Sequence, residues 1–271
     1  MDYVELKSGA DIPILGTGTN TFGKEGNQYM GKLNGDFAPV VSAIEIGYRL
    51  IDCAVMYRNQ KTVGKGIAAS GIERERLFLT SKIPPEPDWH AAATEEEIEA
   101  TVDNTLKDLG TDYLDLFLIH HPSVDDEDNL RIWKALEKEV SKGKIKSLGV
   151  SNFSNSQLDY IIENGDIFPT VNQIESHPGN WNDSVIAHCQ EKGVVPEAWS
   201  PLAGAKGQTL DTLSKIGEKY GKTWSQVLLR YQVQRGVIVI PKSHDPRHQR
   251  EDFEVFDFEL SQKEMTEIAS L

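Results

Sequence analysis

Tyr113-Leu114-Asp115-Leu116-Phe117-Leu118-Ile119 is followed, after a polar interval, by the amphipathic stretch Leu130–Ser141 and then by Ile145-Lys146-Ser147-Leu148-Gly149-Val150. The outer two segments are short, rich in Val, Ile and Leu, and often apolar at successive positions, which is how strands buried on both faces read. The middle one is a helical crossover, and a strand–helix–strand unit of this kind argues for neighbouring parallel strands. The same alternation runs outward to both ends. Strands are expected at Ile12–Leu15, Arg49–Ile51, Leu77–Thr80, Val171–Ile174, Val194–Ala198 and Val237–Ile240, and helices at Phe37–Ile46, Lys61–Ala69, Asp183–Glu191 and Thr209–Tyr220. Three further helices open with capping boxes, Thr94 with Glu97, Ser154 with Gln157 and Thr223 with Gln226, and Gly110 and Gly165 read as the stops of the first two.

Eight strands alternating with eight helices, and no linker between them, predict an α/β chain folded as a closed (β/α)8 TIM barrel, one catalytic domain spanning residues 1–271. An N-terminal β-hairpin, Val4–Leu6 against Ala10–Ile12 around Ser8-Gly9, is expected before the first barrel strand. The rival, an open doubly wound sheet, lacks its Gly-x-Gly-x-x-Gly turn: Gly16-Thr17-Gly18 has no third glycine and no helix directly after it.

The 271 residues carry 28 Lys+Arg against 42 Asp+Glu, a net charge of −14 that repels nucleic acid and anionic lipid. The longest apolar runs, such as Leu116–Ile119, are far too short to span a bilayer. Cys53 and Cys189 form no CxxC pair, so neither a zinc site nor a disulfide framework is expected. The start, Met1-Asp2-Tyr3-Val4-Glu5, lacks the basic and apolar regions of a secretory signal, and a cytoplasmic monomer is expected.

In such a barrel, chemistry sits at the carboxyl ends of the strands. Asp52, Lys82, His120, Ser151-Asn152, Gln173, Glu175, Trp199-Ser200 and Lys242-Ser243 stand there, and Tyr57 follows in the loop after the second strand. Taken singly, each has a plain reading as packing, a solvated charge or a loop hydrogen bond. Together, Tyr57, Lys82, Asp52 and His120 make chemical sense. An ammonium ~4 Å from a phenol favours the phenolate by about 4 kcal/mol at an effective dielectric of ~20, roughly three pKa units, and desolvation opposes part of this. Asp52 would fix the lysine, and His120 would hold a substrate oxygen. A metal-dependent hydrolase would need more His and carboxylate at the strand ends than these.

The chain resembles the aldo-keto reductases over nearly its whole length. The stretches carrying the resemblance are Gly16-Thr17-Gly18-Thr19, Asp52-Cys53-Ala54-Val55-Met56-Tyr57, Leu118-Ile119-His120-His121-Pro122, Gly149-Val150-Ser151-Asn152-Phe153, Asn172-Gln173-Ile174-Glu175-Ser176-His177-Pro178, Ser200-Pro201-Leu202 and Ile240-Pro241-Lys242-Ser243, in the family's order. The resemblance implies a tetrad of Asp52, Tyr57, Lys82 and His120 with Tyr57 as general acid. It implies a nicotinamide cofactor whose carboxamide meets Ser151, Asn152 and Gln173 and whose ring stacks on Trp199, where the family usually has Tyr. Gly18, Thr19, Ser200 and Leu202 would border the cofactor, and Lys242 and Ser243 would meet a 2′-phosphate, so NADPH is expected over NADH. His248, Glu251 and Asp252 would complete that end, with His where the family often has Arg and Asp where it often has Asn.

Several relatives line the substrate pocket with tryptophan where this chain has Asn20, Pro84 and His121. With Tyr57, Trp89 and His120 these suggest a small, polar carbonyl substrate, as in short microbial members. A cofactor-binding regulatory or structural subunit with little turnover is the alternative. Cys53 reads as a small buried residue, His188 as exposed, and Asp125–Asp128 as a solvated loop.

Overall fold

In this computed structural model, which describes residues 2–271, Gly16–Gly18 (β3), Leu50–Asp52 (β4), Phe78–Lys82 (β5), Leu114–Ile119 (β6), Ile145–Ser151 (β7), Val171–Glu175 (β8), Val195–Trp199 (β9) and Ile238–Val239 (β10) pair in parallel in that order. Met1, within the stretch read for a leader, lies outside the described residues. The sheet closes on itself. Leu15 bridges Val239, Val239 donates its N–H to the Ile14 carbonyl at 3.0 Å, and Gly18 donates to the Pro241 carbonyl at 3.1 Å. Tyr3–Glu5 (β1) and Asp11–Pro13 (β2) form the antiparallel hairpin ahead of it. This is the expected (β/α)8 barrel with its N-terminal hairpin.

The first barrel strand is not Ile12–Leu15. Ile12 belongs to the hairpin, and Gly-Thr-Gly makes the strand instead. Its glycine is a packing requirement: a Cβ on Gly16 would lie 2.4 Å from Leu50 Cγ. A strand selected for smallness carries no apolar signal.

The helices are Ala38–Ile46 (α1), Gln60–Ser70 (α2), Pro87–Ala92 (α3), Glu95–Leu109 (α4), Asp126–Ser141 (α5), Asn155–Asn164 (α6), Asp183–Lys192 (α7), Gly207–Glu218 (α8), Trp224–Gln234 (α9), Pro246–Phe253 (α10) and Gln262–Ala269 (α11). All three capping boxes form. Gly165 ends α6 in an extended conformation, and its missing Cβ leaves room for Trp133. The acidic run is not a free loop: Asp125 caps α5 by accepting from Glu127 N–H, and Asp126–Asp128 form the first turn, where a helix favours negative charge. α3, α10 and α11 were not expected, although Ser261 and Glu264 form a fourth capping box.

Alternation along the strands sorts the core into layers. Ile51, Leu79, Phe117, Ile119, Leu148 and Val150 pack outward against α4, α5 and α6. Leu15, Leu50, Leu116, Leu118 and Val239 pack together inside the barrel with Leu6 and Ile12 of the hairpin segment. Asp52 shares the face of Leu50, and His120 continues that of Leu118. The register runs Gly18↔Asp52, Asp52↔Thr80, Lys82↔Leu118, Ser151↔Gln173 and Gln173↔Glu197, which gathers the polar strand ends at one rim.

Candidate active site

A cavity of about 470 Å³ opens at that rim. Lys82 and Asp52, the last residues of their strands, are buried and paired at 2.6 Å. Lys82 Nζ also donates to the Cys53 carbonyl at 2.9 Å and lies 3.5 Å from Tyr57 Oη. Those three partners match the three hydrogens of an ammonium. Tyr57 ends a single 3-10 turn, Val55–Tyr57, which stops on Arg58 in the left-handed region, φ 59°. The His120 ring stands edge-on to the phenol, with centroids 5.9 Å apart at 83°.

The phenol is not acidified. Burial pushes the Tyr57 hydroxyl well above its ordinary value, and the Asp52 charge adds to the effect. The expected lysine effect is lost because the ammonium is already committed to Asp52, so the pair offers little net charge to a third group. Tyr57 therefore holds its proton, as a donor must. Burial and the nearby Lys82 bring His120 down to about 2, so its imidazole is neutral. Its Nδ1 is buried without a partner. Cys53, fully buried, has its thiol pushed up to about 12 and is inert.

One wall is built from side-chain amides. Gln173 Nε2 donates to Asp52 Oδ2 at 2.9 Å and to Glu197 Oε1 at 2.5 Å. Asn152, left-handed at φ 62°, donates from Nδ2 to the His120 carbonyl at 3.0 Å and accepts from Trp199 Nε1 at 2.9 Å. Ser151, Ser200 and Leu202 line the same cavity. Opposite, Thr19 donates to the Asp52 carbonyl at 2.8 Å, and the buried Asn20 Oδ1 has no partner. His121 stacks on His120 at 5.1 Å and 19°. At the far corner, Lys242 Nζ and His244 Nε2 meet on the Thr21 hydroxyl, at 3.1 and 2.8 Å.

These residues fit a nicotinamide. Two side-chain amides, the Ser151 hydroxyl and the indole of Trp199 around one wall meet the needs of a planar ring carrying a carboxamide. Gln173 has committed both its hydrogens and has its carbonyl oxygen left to accept one.

The sequence profile described as the Aldo/keto reductase family matches residues 14–271. The glyoxal reductase of Bacillus subtilis is 40% identical over 272 residues, covering 100% of this chain and 92% of its own. The morphine 6-dehydrogenase of Pseudomonas putida is 35% identical over 99% of this chain and 90% of its own. A Bombyx mori aldo-keto reductase solved in complex with NADP superimposes with a TM-score of 0.87 at 35% identity, covering 98% of this chain and 91% of that one. The chain is an aldo-keto reductase. It is an oxidoreductase that uses a nicotinamide cofactor on the carbonyl/alcohol couple of small molecules.

Several positions singled out in the reductase's sequence stand away from the cavity lining. Trp89 packs, half-buried, against the helix-side core. Pro84 accepts from His90 Nε2, and Arg131 of α5 binds the His90 and Ala93 carbonyls, so the segment after β5 winds into α3 and turns its indole inward. His248 is exposed on α10, and Glu251 lies in a surface groove against Ser42 and Glu45 of α1. Asp252 is buried, and burial raises its carboxyl to about 7. Ser243 closes its own loop, accepting from Asp245 N–H at 3.1 Å. His188 is bonded to Asp159 at 2.9 Å and half-buried.

Tyr29, Met56 and Glu197 were not anticipated. Tyr29 and Met56 line the cavity from loops whose path no periodicity reveals. Glu197 had a readable signal, a carboxylate inside an apolar strand. Among the described residues, no His, Cys, Asp or Glu cluster is arranged to hold a metal, and no helix is long and apolar enough to cross a membrane.

Proposed function

We propose that this reductase reduces small, polar aldehydes and ketones with NADPH, and that Tyr57 is the proton donor. The observation carrying this reading is the Asp52–Lys82–Tyr57 contact chain, 2.6 and 3.5 Å long, with a neutral His120 beside the phenol. When bound against Ser151, Asn152, Gln173 and Trp199, a reduced nicotinamide supplies the hydride. Tyr57 Oη gives its proton to the substrate oxygen as negative charge builds there. Asp52 fixes Lys82, and Lys82 Nζ, 3.5 Å from Tyr57 Oη, holds the phenol in place and keeps an N–H for the oxygen left behind. His120 donates an N–H to the same oxygen, which a neutral imidazole does without repelling the ammonium nearby.

Asn20 and His121 give the substrate end polar edges, which favours hydroxylated or dicarbonyl compounds, in keeping with the name of the Bacillus subtilis relative. Lys242 beside His244 favours a cofactor with a 2′-phosphate, hence NADPH over NADH. Residues 1–271 act as one catalytic unit, a cytoplasmic monomer. The net charge of −14 supports the absence of a nucleic-acid partner, and the two buried free cysteines suit a reducing compartment.

The test is a carbonyl panel followed by loss of NADPH or NADH absorbance. Small hydroxylated and dicarbonyl substrates should be turned over faster than steroids or polyaromatics, with NADPH preferred. Tyr57→Phe should abolish turnover and keep NADPH affinity. Equal turnover by that variant would refute the role given to Tyr57.

A further inference from the structure

Glu197 is fully buried on β9, directly opposite Gln173 in the register, and the proton-donating arrangement does not use it. Its Oε1 accepts one Gln173 Nε2 hydrogen at 2.5 Å, and Asp52 Oδ2 on β4 accepts the other at 2.9 Å. An amide nitrogen has two hydrogens, and both are taken by carboxyl oxygens. Rotating the amide by half a turn would set its oxygen against two acceptors, losing both bonds and leaving buried oxygens facing each other. The Gln173 carbonyl is thereby committed to the cavity that the residue lines.

We infer that Glu197 is a positioning residue: through Gln173 it makes this wall accept a hydrogen bond, which selects the NH2 edge of a nicotinamide carboxamide and fixes the face the ring presents. The inference rests on the nicotinamide reading above. Asp52 and Lys82 are the charges facing Glu197, with Tyr57 close by. Burial, reinforced by Asp52 and opposed by Lys82 and Gln173, lifts the carboxyl to about 8. A neutral carboxyl still accepts from Gln173 through its carbonyl oxygen, and Asp52 still opposes the rotated amide. An amide at this position can do the same, whereas a hydrocarbon cannot.

The experiment compares wild type, Glu197→Gln and Glu197→Leu, with Glu197→Ala in place of Leu if that variant does not fold. Each is titrated calorimetrically with NADPH and with 2′-phospho-ADP-ribose, which has the same adenosine end and no nicotinamide. Glu197→Leu should bind NADPH about tenfold more weakly, the scale of one hydrogen bond, and the fragment unchanged. Glu197→Gln should bind both like wild type. The inference is overturned if Glu197→Leu keeps its NADPH affinity, if it loses both ligands equally, or if Glu197→Gln is as impaired as Glu197→Leu. Wild-type protein that binds the fragment no more weakly than NADPH overturns it too. Wild-type protein that binds neither overturns the cofactor reading beneath it.

Discussion

Trp199 Nε1 donates to Asn152 Oδ1 at 2.9 Å, and this contact orients the Asn152 amide on one side of the cavity. An indole nitrogen can only donate, so the Asn152 oxygen must face it and the Asn152 nitrogen must face the other way. There it meets the His120 carbonyl, which can only accept, at 3.0 Å, and His121 Nδ1 at 3.2 Å. The Ser151 hydroxyl lies 3.0 Å from the same Asn152 nitrogen, so two amide hydrogens serve three neighbours; when one goes to His121, its Nδ1 is the bare nitrogen and Nε2 carries the hydrogen. Burial, with His90 and Lys82 assisting, holds His121 below its ordinary value, so the ring stays neutral. With that tautomer the substrate end of the cavity has an N–H donor on His121 beside His120.

That donor should matter only to substrates with a second oxygen. His121→Leu is expected to lower kcat/KM about tenfold for an α-hydroxy aldehyde or a dicarbonyl and to leave a simple aldehyde of similar size nearly unchanged. Nitrogen-15 correlation spectra should show the Nε2–H form of His121 in wild type and a mixture of tautomers in Trp199→Phe. An equal loss for both substrates would mean that His121 only shapes the wall.

The rate should be insensitive to pH where histidine enzymes usually are not. His120 sits at about 2, and Tyr57 is pushed well above 10, so neither changes protonation between about pH 5 and pH 7.5. Over that range kcat/KM for reduction should be flat. An acid limb near pH 6 that disappears in His120→Asn would show that the imidazole titrates during turnover and would contradict the neutral assignment.

Stability should depend on pH with an unusual sign. Glu197 is raised to about 8 and Asp252 to about 7, both by burial, against ordinary carboxyl values near ~4. Between those limits the native state keeps protons that the unfolded chain has released. Stability is then full at the acid end of the window and falls as pH rises through 7 and 8. Below it, Glu264 and Asp245, each lowered to about 2, act the other way and lose their contribution as pH falls. The melting temperature should therefore be highest near about pH 5. Glu197→Gln should flatten the decline toward about pH 9 by roughly 2–4 °C or more. An unchanged slope in that variant would show that Glu197 is already ionised at pH 5.

How much of this could be read beforehand follows from what each residue does. Phe117 and Val150 announced their strands because both faces of a parallel sheet are buried, and the run of apolar residues is continuous. Gly16 announced nothing, since its role is to be absent where Leu50 needs room. Asp52, Lys82 and His120 were legible as polar residues at the ends of apolar strands, a position that water alone does not explain. The behaviour of Tyr57 was not, because the sign of its shift depends on Lys82 being pledged to Asp52, and only coordinates give that. Trp89 lies away from the expected pocket, because an aromatic in a proline-rich loop shows no direction until Arg131 ties the loop to α5. Glu197 is legible only as one charge in an otherwise apolar strand, and its place opposite Gln173 emerges only from the register.

The cofactor preference should reside in Lys242 and not in α10. Lys242 Nζ and His244 share the Thr21 hydroxyl at one corner of the cavity, whereas Arg247 is closed on Asp245 at 2.6 Å and His248 is exposed on the helix. Among the described residues Lys242 forms no ion pair, so its ammonium is available to a dianionic phosphate. Lys242→Met should lower kcat/KM with NADPH by about tenfold or more and leave NADH within about twofold, since a charge-assisted hydrogen bond is worth ~1.5–3 kcal/mol. His248→Ala should change the NADPH to NADH ratio little. If His248→Ala alone erased the preference, α10 would have to swing its exposed face onto the cofactor, and the corner formed by Thr21, Lys242 and His244 would lose its assigned part in choosing between the two.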